Sequence, residues 1–172
     1  TDNDKDTSNK KRIDSLTKSD TDKPSLETTL KSAVESEYKN LDHDVTSIIE
    51  DIPDSKVFVA DNLGYVYALD IKTEKIVWAK NYGIPFRSNI KIANNQIFLA
   101  NQDNTIYSLN KKDGEKLWQF STQPSFYITH FVNNLAVDKT NQNIFFLNTS
   151  GELYSINYMN RNINWLLNFN KS

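Results

Sequence analysis

The 172-residue sequence contains no cysteine, four glycines and four prolines. Without cysteine there is no disulfide to support the fold and no thiol for nucleophilic or redox chemistry. Four widely spaced glycines cannot build a dinucleotide or phosphate cradle, and no Gly-x-Ser-x-Gly, P-loop or Gly-x-Gly-x-x-Gly pattern occurs. No apolar run approaches the roughly 18 residues of a membrane-spanning helix. A net charge of −2 leaves no concentrated basic face, which excludes nucleic acid as the main partner. The densest basic run, Lys10-Lys11-Arg12, lies between Asp6 and Asp14 and reads as a solvated charge mixture. His43 and His130 stand far apart, with no second ligand type beside either, so no zinc site is expected.

What is present is unevenly distributed. Of the 20 aromatic residues, Tyr38 alone precedes residue 50, so the early part cannot bury enough surface to offset the entropy of ordering it. Residues 1–42 are therefore expected to form a polar, mostly disordered tail, with residues 1–24 the most labile. Leu26, Leu30, Val34, Tyr38 and Leu41 recur at spacings of three to four after Pro24-Ser25, which predicts a short helix over 25–41. Residues 43–172 carry the folded domain.

That domain is a tandem repeat. Lys56 to Trp78, Gln96 to Trp118 and Asn143 to Trp165 align without a gap, at offsets of 40 and 47 residues. Phe58, Phe98 and Phe145 coincide, as do Tyr67, Tyr107 and Tyr154, and then Trp78, Trp118 and Trp165. The runs Val57-Phe58-Val59, Ile97-Phe98-Leu99 and Ile144-Phe145-Phe146 lack polar alternation, as strands covered on both faces do. Gly64, Asn104 and Gly151 share a column at the next turn and tolerate positive φ. Asp70, Asn110 and Asn157 share another, suited to starting a turn by a side-chain to backbone hydrogen bond. A further β-rich stretch precedes each copy, at 45–49, 89–93 and 129–137. Four short strands per unit at this period predict an all-β fold of three four-stranded antiparallel β-propeller blades. Three blades cannot close a ring, so the outer faces of the first and third are expected to be open, with further blades on a longer chain or another molecule. The start at Thr1 fits removal of a targeting segment or an excerpt.

The stretch Ala68-Leu69-Asp70-Ile71-Lys72-Thr73-Glu74-Lys75-Ile76-Val77-Trp78 resembles the PQQ-type propeller repeat, whose motif runs A-x-D-x-x-T-G-x-x-x-W. The second copy keeps Gly114 and Trp118 but has Asn110 and Asp113 in place of Asp and Thr; in the first and third, Glu74 and Arg161 replace the glycine. The resemblance implies that Trp78, Trp118 and Trp165 each pack onto the adjacent blade, a structural role. Trp118 is expected to matter most, having a blade on either side. Within this family the chain is most similar to BamB-like lipoproteins, which implies a protein-interaction scaffold in the bacterial periplasm or on the inner face of the outer membrane. Its partner would be the outer-membrane barrel-assembly machinery, and its anchor a lipidated cysteine ahead of Thr1. The alternative is a piece of a PQQ-dependent quinoprotein dehydrogenase whose catalytic blades lie elsewhere. Such enzymes add a Ca²⁺ site of Glu, Asn and Asp, a catalytic Asp and often a cysteine pair. Here the carboxylates fall at turns and strand ends, so no cofactor, metal or catalytic residue is expected. Tyr82, Phe86 and Arg87, with Phe126 and Tyr127, lie in the links between blades. These link residues are expected either to bind a partner from one rim or to plug the blade junctions.

Overall fold

The computed structural model describes residues 45–122 and 134–170, all within one compact unit, Asn40–Ser172. The expected tail, its helix over 25–41, and Phe126 and Tyr127 lie outside the described residues.

Twelve strands form three four-stranded antiparallel sheets, each in sequential order. The first holds β1 (Val45–Asp51), β2 (Lys56–Asp61), β3 (Tyr65–Asp70) and β4 (Ile76–Asn81). The second holds β5 (Lys91–Ala93), β6 (Gln96–Ala100), β7 (Thr105–Asn110) and β8 (Lys116–Ser121). The third holds β9 (Asn134–Asp138), β10 (Asn143–Leu147), β11 (Glu152–Asn157) and β12 (Ile163–Asn168). The opening strand of the second copy is shorter than expected, beginning at Lys91, and residues 129–133 of the stretch expected for the third lie outside the described residues. Among the described residues the only helix is a 3₁₀ turn at Ile52–Asp54.

The register repeats as the columns require. Phe58 pairs with Ala68 and Ala68 with Trp78; Phe98, Ser108 and Trp118 line up likewise, as do Phe145, Ser155 and Trp165. A bulge falls at the same place in each copy, skipping Val77, Leu117 and Asn164, and it aims the tryptophan along its phenylalanine. The Phe–Trp ring centroids are 6.0, 6.0 and 5.9 Å apart.

Turn chemistry repeats as closely. Oδ1 of Asp70, Asn110 and Asn157 accepts the backbone N–H two residues on, from Lys72, Lys112 and Met159. Glu74, Gly114 and Arg161 then all turn left-handed, with φ of 57°, 72° and 66°. The turn therefore survives the loss of glycine at Glu74 and Arg161, closed by the same two backbone hydrogen bonds in each copy. Gly64, Asn104 and Gly151 also have positive φ, as their shared column requires.

Two cores lie between the sheets. Phe58, Ala60, Val66 and Ala68 of the first meet Ile97, Leu99, Tyr107 and Leu109 of the second. On the other side of the second sheet, Phe98, Ala100 and Ile106 meet Ile144, Phe146, Tyr154 and Ile156 of the third. The period-2 alternation of strands thus serves two seams, which is why β6 reads as a continuous apolar run from Ile97 to Ala100. Inner strands β5 and β9 approach each other, whereas outer strands β4, β8 and β12 are the most exposed, the radial arrangement of propeller blades.

The expectation of two open faces holds at one end. On the third sheet Trp165, Leu167 and Phe169 are exposed. On the first sheet, Val57, Val59, Tyr67 and Leu69 are buried, and Tyr67 Oη donates to Asp61 Oδ2 at 2.9 Å.

Candidate partner-binding rim

Tyr82 N–H donates to Gly64 O, Gln102 N–H to Pro85 O, and Thr149 N–H to Asn104 Oδ1, so the β2–β3, β6–β7 and β10–β11 hairpins share one rim with the link between the first two sheets. Each hairpin is built on a column that sequence reading did not pick out: Asp61, Asn101 and Asn148. Their Oδ1 atoms each accept two backbone N–H groups, from Leu63 and Tyr65, Asp103 and Thr105, and Ser150 and Glu152. All three are buried, so the pattern satisfies donors that water cannot reach. The signal was present as an Asp or Asn six residues before each column tyrosine.

The link is fastened along the end of β6. Gln102 N–H donates to Pro85 O, Arg87 and Ser88 N–H both donate to Ala100 O, and Phe86 bridges Asn101. Ser88 Oγ accepts Ala100 N–H at 2.7 Å, and Ile90 N–H reaches Ser47 Oγ at 2.8 Å. This geometry turns Phe86 inward. Its ring is fully buried and meets Tyr82 and Tyr107 edge-on, with centroids 5.8 and 5.6 Å away. Phe86 therefore plugs the junction and is not an exposed contact. The link had no repeat to reveal this, because its burial comes from packing against two other sheet elements.

Tyr82 is half-buried, its hydroxyl donating to Gly114 O. Burial pushes its phenol up, and the charges of Glu115 and Asp113 add to the shift. Tyr154 Oη donates to Glu152 at 2.8 Å, and burial first, then Glu152, pushes that phenol up to about 12. These tyrosines are structural hydrogen-bond donors at neutral pH. What the rim leaves partly open beside Phe86 is Ile84, Pro85 and Arg87, with Leu63 exposed on the adjacent hairpin.

At the opposite rim, Lys111 Nζ lies 2.8 Å from Asp51 and 2.7 Å from Asp54, so the second sheet's turn is clasped by the first. A polar cavity of about 470 Å³ adjoins this clasp, lined by Lys56, Asn94, Asn95 and Lys112 among others. Among the described residues no three of His, Cys, Asp and Glu come together as a metal site would need. Among the same residues no helix is long and apolar enough to cross a membrane.

A family model described as outer membrane protein assembly factor BamB matches residues 18–169. BamB from Moraxella catarrhalis superposes with a TM-score of 0.61 at 17% identity, covering 72% of this chain and 37% of that one. The WD40 repeats of RRP9 give 0.64 at 9% identity, covering 77% and 41%, a likeness of fold alone. The quinoprotein glucose dehydrogenase of Escherichia coli (strain K12) is 35% identical over 33% of this chain and 10% of that protein. The quinoprotein ethanol dehydrogenase of Pseudomonas putida is 33% identical over 36% and 10%. The chain thus spans about a tenth of these curated relatives and about two fifths of the solved structures.

Proposed function

The chain belongs to the family described as outer membrane protein assembly factor BamB, and from that premise we propose that it is a non-catalytic scaffold of the bacterial cell envelope. It would act in the periplasm or at the inner face of the outer membrane, binding protein partners of the barrel-assembly machinery through the link rim. An anchor ahead of Thr1 would hold it to the membrane. The observation that carries this reading is the employment of the carboxylates. Asp61 and Asp70 are committed to backbone N–H groups, Asp51 and Asp54 to Lys111, and Asp138 to the Thr140 and Asn141 turn. Side chains tied up this way are poor candidates to ligate Ca²⁺ or to take a proton from a hydroxyl.

Arg87 is the anchor of the proposed surface, flanked by Pro85 and Ile84 on a link whose backbone is pinned, with Tyr82 as its support and Phe126 and Tyr127 as the corresponding link residues of the next junction. Arginine beside apolar groups on a rigid frame is the composition of protein–protein hot spots. A second reading rests on the quinoprotein likeness: a stretch of a PQQ-dependent dehydrogenase whose catalytic blades lie elsewhere. Calorimetry with PQQ and Ca²⁺ on the full product of the natural gene separates the two. The scaffold reading expects no heat of binding, and tight calcium-dependent PQQ binding would overturn it.

A further inference from the structure

Three turns meet at the rim opposite the link and leave a recess of about 470 Å³ between the first and second sheets. Hydrogen bonds and ion pairs fix its walls. Lys111 Nζ holds Asp51 and Asp54 at the β1–β2 turn, and Ser55 O of that turn accepts Ile71 N–H at 2.9 Å. Asn94 and Asn95, at the tip of the β5–β6 hairpin, both have positive φ, and Asn95 O accepts Lys111 N–H at 2.9 Å. A recess with pinned walls is preorganised, and its volume falls within the roughly 300–1,000 Å³ of small-molecule sites.

The groups lining it that remain to be used are mostly donors. Gln96 Oε1 already accepts from Ser108 Oγ at 2.6 Å, and Asn110 Oδ1 accepts Lys112 N–H at 2.9 Å, so the NH₂ group of each amide is left over. Lys111 is neutralised by its two carboxylates, whereas Lys56 and Lys112 have no ion pair among the described residues. Lys56 acts on Asp54 and Asp70 only through its field. Three lysines line the recess against Asp54, with Asp51 behind, so it is net positive. We propose that this recess binds the phosphate group of a small phosphorylated molecule, with Lys56 and Lys112 as charge partners and the Gln96 and Asn110 amides as further donors. Its cations are all lysines, compact point charges suited to a phosphate, whereas a carboxylate is matched by the planar fork of an arginine. Asn94 and Asn95 make no side-chain hydrogen bond among the described residues, and each offers a donor and an acceptor to hydroxyls on the same ligand.

Amine acetylation of the full product of the natural gene tests this, since an ammonium held by phosphate is withheld from acylation. The probes are glycerol 3-phosphate, succinate, and phosphatidylcholine vesicles carrying phosphatidic acid, all at constant ionic strength. Peptide mapping follows each lysine, with the exposed Lys75 and Lys139 as references. Glycerol 3-phosphate at ten times its dissociation constant should slow acetylation of Lys56 and Lys112 about tenfold and leave the references unchanged. Lys56→Gln should keep its thermal midpoint and lose the protection of Lys112. Unchanged rates at millimolar glycerol 3-phosphate would overturn the proposal. Equal slowing of the references, or protection of Lys112 that survives Lys56→Gln, would also overturn it, as the mark of an adventitious ion only. So would stronger protection by succinate, which would mean a carboxylate site, or protection by the vesicles alone, which would mean a membrane surface.

Discussion

Trp78 of the first sheet lies over Gly114 of the second so closely that a β-carbon on the glycine would stand 2.7 Å from the indole. The same turn receives the Trp78 indole N–H at Lys111 O, 3.2 Å away, and the Tyr82 hydroxyl at Gly114 O. Gly114 also holds φ +72°, where a side chain is strained by roughly 1–2 kcal/mol. Glu74 and Arg161 accept that strain, so the special demand at Gly114 is room for the indole. Gly114→Ala is expected to destabilise the chain by about 2–4 kcal/mol, combining left-handed strain with overpacking. The urea midpoint measures it, and a loss below about 1 kcal/mol would contradict the contact.

The three column tryptophans should divide two against one. Trp78 and Trp118 each pack on the core shared with the following sheet, whereas Trp165 faces outward. Trp78→Ala and Trp118→Ala should each cost on the order of 3 kcal/mol, and Trp165→Ala less than about 1 kcal/mol in the 172-residue chain. Sequence reading singled out Trp118 as flanked on both sides. What matters is the sheet ahead, and Trp78 has one too. Equal losses at all three positions in chemical denaturation would contradict the packing of Trp78 and Trp118 against the following sheet.

Phe86 and Arg87 are adjacent and opposite in role. Phe86→Ala should cost about 3–5 kcal/mol, the usual range for a buried large aromatic. Arg87→Ala should stay within about 0.5 kcal/mol, as surface changes do. A variant combining the two would confound folding with binding, so only the arginine is a clean probe of the rim. Thermal unfolding of the two single variants checks this.

The clasp at Lys111 gives stability a pH dependence with a definite sign. A hydrogen bond from Lys111 and its charge hold the Asp54 carboxyl below the usual carboxylate range. Burial pushes the Lys111 ammonium down, but its bonds to Asp51 and Asp54 and their charges outweigh this and leave it raised. A depressed acid contributes stability above about pH 4 and loses it as pH falls through its folded value. A raised lysine contributes below about pH 10.4 and loses it as pH rises through its folded value. Asp54→Asn should therefore lower the denaturation midpoint at neutral pH and converge on the wild type in acid. Asp70 and Asp138, held low by hydrogen bonds from Thr73 and Asn141, leave a residual acid limb in that variant. A constant gap between variant and wild type across acid pH would contradict the clasp.

Tandem copies made much of this legible in advance. Phe58, Tyr67 and Trp78 recur with fixed spacing in each copy, so strands, hairpins and radial seams could be read as columns. The Asp61, Asn101 and Asn148 column was equally regular but mixed Asp with Asn among many polar residues, so its shared role appeared only through its hydrogen bonds. Phe86 could not be placed, because a link has no period and its burial depends on Tyr82 of the same link and Tyr107 of β7 closing on it from either side. The positive φ of Glu74 and Arg161 was hidden for another reason: flanking backbone bonds enforce that turn against local preference.

The central claim, that the chain works by binding protein through its link rim, is tested most directly by Arg87→Glu. Purified chain and variant would be immobilised at equal density and their affinity for the purified barrel-assembly machinery of the source bacterium compared. The account predicts that Arg87→Glu retains its thermal midpoint and weakens binding at least tenfold, the loss expected of a hot-spot arginine. Unchanged affinity with intact folding would contradict it.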